Sequence, residues 1–296
     1  MLQKSKKYHP SSDDLELTMK TRIITAIVAI LIFIPVLLFS DTIIFPIAFG
    51  ILATVAAWEV LACVGMRKNT GAVLLSMAAT VAAMVGAGYL SRLPGGTDRF
   101  EQMMLTFTYV YLFLMLTLAV FSKGKFPVGR ALTAAAMIFY VVFGFASVLL
   151  LRSEPHGGYL YLLIFLSAWV TDTGAYFTGV FFGKHKLIPD VSPKKTVEGA
   201  IGGVFFCIAT FVIFGAIVGA ISDLTPHYVR LALVGAVVSV VSMIGDLIAS
   251  LLKRKYGIKD YGKLFPGHGG VMDRFDSVLA TAPFLFMFAD TLHLLS

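Results

Sequence analysis

Apolar residues run along this chain in long stretches, separated by short segments that carry most of the charge. A helix needs roughly 20 predominantly apolar residues to cross a bilayer. Nine stretches come close to that length: about 23–39, 43–64, 71–90, 103–121, 131–151, 159–182, 199–221, 229–252 and 277–295. The pattern predicts an all-α, polytopic integral membrane protein with about nine transmembrane helices. The first stretch is short and contains Pro35. The second carries Glu59, the sixth Asp172 and the eighth Asp246, and Asp290 lies near the end of the ninth. A charge inside a membrane is costly unless it is paired, bound to metal or bathed in a wet cavity. Residues 1–21 are polar, lack the apolar core of a signal peptide and predict a flexible tail. Beyond it the chain divides into N-terminal helices over 22–152 and a C-terminal region over 153–296, where the polar motifs gather.

Composition narrows the picture. The 296 residues are 58% hydrophobic with a mean hydropathy of +0.86, and only 14% are charged. Soluble domains carry about 25% charged residues, so no sizeable soluble domain is left over and no nucleic-acid partner is expected. Cys63 and Cys207 lie inside apolar runs, which argues against a disulfide framework or a zinc site. Placement of the cations matters more than their number. With the N-terminus cytoplasmic, 20 of the 24 Lys and Arg fall in segments on the cytoplasmic side. The C-terminus is then outside, and loops 183–198 and 253–276 face the cytosol. In a bacterium this is the inner membrane, with the active site facing the cytoplasm.

The eighth stretch carries Ser239, Ser242, Asp246, Ser250 and Lys253 at helical spacing. They share one helix face and form a polar stripe leading to the loop. That loop supplies Lys253, Arg254, Lys259, Lys263, His268 and Arg274 beside Asp260, Asp273 and Asp276. Cations bind phosphates and carboxylates hold Mg²⁺, so the mix suits a nucleoside-triphosphate reaction. Its place at a membrane boundary suggests a lipid as second substrate. Gly267, Gly269 and Gly270 let backbone N–H groups approach an anion. Asp273 reads as a metal ligand, and Asp276 either joins it or caps the following helix. Asp246 and Asp172 either serve the site or form structural ion pairs.

Upstream, Gly174, Gly179 and Gly183 would let another helix approach the sixth span closely. Ser192 followed by Pro193 predicts a helix start, with Lys194, Lys195 and Thr196 around a phosphate-binding N-terminus. Ordinary loop lysines are the competing reading. Glu59 pairs either with a cation near the site or with a tryptophan or hydroxyl, and the role of Glu198 is open. Gly215 and Gly219 form a GxxxG pair, a weak signal for a homodimer. Asp290 and His293 read as interfacial.

The segment from Ser250 to Asp276 resembles the signature of the phosphatidate cytidylyltransferase family. That signature is filled by Ser250, Leu252, Lys253, Arg254, Lys259, Asp260, Gly262, Leu264 or Phe265, Pro266, His268, Gly269, Gly270, Val271, Asp273, Arg274 and Asp276. No charged position departs from it. Asp172 and the Ser192-Pro193-Lys194-Lys195-Thr196 segment also resemble the family, whereas the N-terminal half does so only in hydropathy. The resemblance implies transfer of CMP from CTP to phosphatidic acid, giving CDP-diacylglycerol and pyrophosphate for phospholipid synthesis, with Mg²⁺. A second metal ion is left open. It implies Asp246 and Asp273 on the metal, with Asp276 and Asp172 as further carboxylates. Lys194, Lys195, Lys253, Arg254, Lys259 and Arg274 would hold phosphates. His268, Gly269 and Gly270 would line the triphosphate, with Ser192 and Thr196 in the substrate-binding set. Two rival readings are a CTP-dependent polyprenol or phytol kinase, which would release CDP, and a transporter using the buried carboxylates as an ion path.

Overall fold

The computed structural model of the chain describes residues 12–124 and 126–296, the side chains of residues 12–20 and of residue 290 excepted. Its helices are α1 (Ser12–Leu38), α2 (Ile44–Cys63), α3 (Thr70–Leu90), α4 (Gly96–Phe121), α5 (Val128–Ser153), α6 (Gly157–Leu160), α7 (Leu162–Phe182), α8 (Val197–Ile221), α9 (Tyr228–Lys255) and α10 (Met272–Leu292). Two short antiparallel strands, β1 (Lys186–Ile188) and β2 (Ser192–Thr196), form a hairpin between α7 and α8. Eight helices among the described residues are long and apolar enough to cross a membrane, the sixth of them running from Gly157 to Phe182. The ninth long helix, α10, has 21 residues and opens on Asp273, Arg274 and Asp276. All nine expected stretches are thus helical. The expected tail differs: helix α1 already begins at Ser12, and residues 1–11 lie outside the described residues.

Helix α5 is the most enclosed element and packs against α2, α3, α4 and α10. Its contact with α10 crosses the expected 152/153 division, so the N-terminal helices share a core with the C-terminal region. Aromatic rings tie these and further elements together edge to face. Phe33 of α1 meets Phe165 of α7 at 5.3 Å, and Phe145 of α5 meets Phe275 of α10 at 5.5 Å. Phe275 thereby anchors the first turn of α10 beside Asp276.

Helices α7 and α8 form the most extensive helix pair. The glycines explain it: a Cβ at Gly174 would overlap Phe206, and one at Gly202 would overlap Thr178. Gly215 and Gly219, by contrast, face Leu231 and Pro226 of the same chain. Their close-approach surface is occupied within the chain. The chain's last residues pair with the α8–α9 connection through Thr225 N–H to Ser296 O (2.6 Å) and His227 N–H to Leu294 O (3.1 Å). His293 lies at that pinned end, while the side chain of Asp290 lies outside the described residues.

Candidate active site

Thr196, not Ser192, caps α8. Its Oγ1 accepts from Gly199 N–H at 3.1 Å, a side-chain cap on the orphan donors of the first turn. Ser192 and Pro193 open strand β2 instead. The serine–proline pair fits either element, because proline's fixed φ and missing N–H are tolerated on an edge strand as well as at a helix start. The hairpin is held from α8 by Glu198. Its carboxylate accepts from Lys184 N–H (3.1 Å) and His185 N–H (3.2 Å) and meets His185 Nδ1 at 2.6 Å. Lys194 and Lys195 therefore reach the site from a strand that is clamped to the helix it precedes.

A cavity of about 480 Å³ opens between α7, the hairpin, α8 and α9. Asp172, Lys194 and Lys195 line it, along with Ser192, Thr196 and Lys186. Tyr176, Val180 and Met243 give it an apolar wall. On α9 the predicted stripe is real. Its inner end is packed: Ser239 accepts from Thr171 Oγ1 at 3.1 Å, and Ser277 Oγ donates to Ser242 O at 3.2 Å. Ser242 Oγ itself is buried without a partner among the described residues. The outer end is charged. Asp246 Oδ2 pairs with Lys195 Nζ at 2.6 Å, and Ser250 Oγ points at Oδ1 from 3.5 Å.

The loop between α9 and α10 folds back on Asp273. Lys253 Nζ lies 2.8 Å from Oδ1, while Oδ2 accepts from Tyr261 N–H (2.7 Å) and Gly270 N–H (3.0 Å). A tight turn from Phe265 to Gly269 is closed by Phe265 N–H to Gly269 O (2.9 Å) and His268 N–H to Phe265 O (2.8 Å). Gly269 has φ +87° there, and a Cβ on it would press on the Asp273 carboxylate. Only glycine meets both demands. Within the turn, His268 Nδ1 is buried and unpartnered among the described residues. An orphaned buried polar atom is costly, as it is at Ser242 Oγ.

Asp276 is buried one turn on. Its Oδ1 accepts from Ser277 N–H at 2.8 Å, and Tyr140 O–H donates to its backbone carbonyl at 3.1 Å. The fold brings three carboxylates within electrostatic range: Asp276 feels Asp246 and Asp172, and Asp172 feels Asp246. Lys195 and Arg274 offset Asp172, and Lys253 offsets Asp276. Asp172, Asp246, Asp273, Asp276, Lys195, Lys253 and Arg274 thus come together from four elements. Arg254 and Lys259 do not join them: both are exposed and have no ion-pair partner among the described residues.

Lys253, Asp273, Arg274 and Asp276 of the signature belong to this cluster, and comparison with known proteins bears on the same family. The model of the cytidylyltransferase family matches residues 20–292. The chain belongs to the cytidylyltransferase family. Proteins named phosphatidate cytidylyltransferase resemble this cytidylyltransferase along nearly their whole length. One from Staphylococcus epidermidis is 38% identical over 269 residues, covering 90% of this chain and 97% of the relative. One from Staphylococcus haemolyticus is 37% identical over 268 residues, with the same coverage. One from Staphylococcus aureus is 35% identical over 274 residues, again covering 90% and 97%. The likeness extends through the N-terminal half, where the sequence alone offered only hydropathy.

Oxygen donors dominate the cytidylyltransferase site, which suits a hard divalent cation. Among the described residues no three His, Cys, Asp or Glu side chains converge as a metal cage. Mg²⁺ does not require one, because it takes one or two carboxylates and completes its shell with phosphate oxygens and water. An ionised carboxylate offers about four acceptor positions. Asp273 uses three of them and Asp246 two, so each retains a free position on Oδ1 or Oδ2. The residues present fit the ion.

Glu59 was missed as to role. Its partner is neither a cation nor a hydroxyl but the backbone N–H groups of Val271 and Met272, at 3.0 and 2.9 Å. A buried glutamate in an apolar run was the available signal, yet a partner 212 residues away leaves no mark in local spacing.

Proposed function

We propose that this chain is a phosphatidate cytidylyltransferase, transferring CMP from CTP to phosphatidic acid. The observation that carries the reading is the gathering of Asp172, Asp246, Asp273 and Asp276 with Lys195, Lys253 and Arg274 beside a cavity lined by both lysines and apolar side chains. The names of the relatives support it.

An oxygen of the phosphatidate phosphate attacks the α-phosphorus of CTP in line. The bond from that phosphorus to the oxygen bridging to the β-phosphorus breaks, and pyrophosphate leaves with its electron pair. The nucleophile is already an oxyanion, so no general base is needed. Catalysis is positioning and charge neutralisation. Asp246 and Asp273 would hold Mg²⁺, which when bound neutralises phosphate charge, with Asp172 and Asp276 as further carboxylates. Lys195 and Lys253, paired with Asp246 and Asp273, would hold phosphate oxygens. Lys194 lines the cavity and Arg274 flanks Asp172, while the exposed Arg254 and Lys259 would add cations only from outside the cluster; Ser192 and Thr196 belong to the hairpin wall. His268, Gly269 and Gly270 line the triphosphate. The site faces the cytoplasm across a cell membrane, a reading supported by the asymmetry of Lys and Arg.

The test uses the purified protein in detergent–lipid micelles with Mg²⁺, CTP and phosphatidic acid. Pyrophosphate should appear only with both substrates, together with a CDP-lipid identified by mass spectrometry. CDP and a newly phosphorylated lipid, or no product from a folded, CTP-binding preparation, would refute the reading.

A further inference from the structure

Glu59 lies near the end of α2, in the half of the chain that contributes no other carboxylate to the cluster, and its side chain is 3% exposed. Oε1 accepts from Val271 N–H and Oε2 from Met272 N–H. These are orphan donors where α10 begins, and a carboxylate there is favoured by both hydrogen bonding and the helix dipole. The carboxylate lies against two glycines: a Cβ on Gly262 or on Gly270 would overlap Oε1. Arg67, stacked 5.1 Å over Trp58, adds a weaker favourable charge.

Two carboxylates therefore hold the same two ends of one loop together. Asp273 holds Tyr261 and Gly270, while Glu59 holds Val271 and Met272 and sits against Gly262 and Gly270. Between those fixed points runs the turn with His268. Asp273 is engaged with Lys253 and would also serve the reaction, so it cannot by itself hold the loop still while its partners change. Glu59 has only backbone partners among the described residues, and nothing in the substrates competes for it.

We infer that Glu59 is a positioning residue for CTP: its carboxylate, fixed on two backbone N–H groups of α10 and wedged against Gly262 and Gly270, sets the loop that receives the triphosphate. The inference rests on the proposed triphosphate role of the His268 loop. An aspartate keeps the carboxylate and reaches less far. A glutamine keeps the length but must turn its NH₂ toward one of the two donors.

The test compares Glu59→Gln and Glu59→Asp with the unaltered enzyme, through thermal unfolding in detergent and initial rates varied separately in CTP and in phosphatidic acid. Glu59→Gln should raise the KM for CTP tenfold or more and leave that for phosphatidic acid within twofold, with the melting temperature little changed. Glu59→Asp should recover part of the loss. Unchanged CTP kinetics in Glu59→Gln, an equal rise in both KM values, or losses in both variants that merely follow the melting temperature would overturn the inference. If Glu59→Gln fails to fold, Gly262→Ala decides. It should impair CTP use, and adding Glu59→Asp should restore part by withdrawing the carboxylate from the new methyl. Losses that simply multiply would overturn the wedge. His268→Ala separates the two levels. An unchanged CTP KM in that variant overturns the loop's triphosphate role, whereas a normal Glu59→Gln beside an impaired His268→Ala overturns only the role of Glu59.

Discussion

Replacing Asp273 by asparagine tests the centre of the site. The pair with Lys253 spans 2.8 Å, and the two side chains are 12% and 3% exposed. Removing one partner of such a buried pair costs roughly 3–5 kcal/mol. Asparagine is nearly the same shape, but every donor around Asp273 points inward: an ammonium at Oδ1 and two backbone N–H groups at Oδ2. Whichever way the amide is turned, its NH₂ must face a donor, which leaves buried groups unpaired at about 1–3 kcal/mol. If only about 2.7 kcal/mol of this falls on the transition state, kcat drops about 100-fold. The assay is pyrophosphate release at saturating CTP and phosphatidic acid, with melting temperature measured alongside. A cycle with Lys253→Met completes it. Because both residues act on one loop, the double variant should be little worse than the worse single, a coupling of about 1–3 kcal/mol. Turnover within about threefold of the unaltered enzyme in Asp273→Asn, or losses that multiply in the cycle, would refute the reasoning.

Lys195→Met should leave the melting temperature nearly unchanged, because its partner Asp246 is partly exposed and such pairs add about 0–1 kcal/mol, yet it should cut turnover on the order of 10–100-fold; normal turnover would remove Lys195 from the site. Thr196→Ala should cost about 1 kcal/mol of stability through the lost cap, read as a lower melting temperature, and should weaken substrate binding through the hairpin. Gly202→Ala should cost about 1–3 kcal/mol, because its methyl would overlap Thr178 where α7 and α8 meet; an unchanged melting temperature would contradict the close packing. Chelation of divalent cations should abolish turnover and added Mg²⁺ should restore it, while full activity in excess chelator would remove the metal from the proposal.

What was legible in this sequence was whatever leaves a local trace. Nine apolar runs became nine long helices because a membrane allows a spanning segment almost no other way to satisfy its backbone. The stripe from Ser239 to Lys253 was readable because helical period alone puts those residues on one face. The glycines of α7 found their partner in α8 for the same reason: their absent side chains already stated how near another helix comes. The hairpin over 186–196 was not legible, since its strands have three and five residues and its serine–proline signal fits either element. Most of the site's wiring was equally silent. Lys195 finds Asp246, 51 positions away, and Glu59 finds Val271 across 212. Nothing in the spacing of either residue points to the other. What sequence could say was that each buried charge needs a partner, and the cost of leaving one unpaired is why all of those partners exist. Glu59 sharpens the point. It stands in the half of the chain that resembled the family only in hydropathy, yet it reaches the loop that carries the signature. The N-terminal helices are therefore not simply membrane anchors for a C-terminal catalytic part. Through Glu59 and the α5–α10 contact they fix the start of the helix on which Asp273 and Asp276 stand.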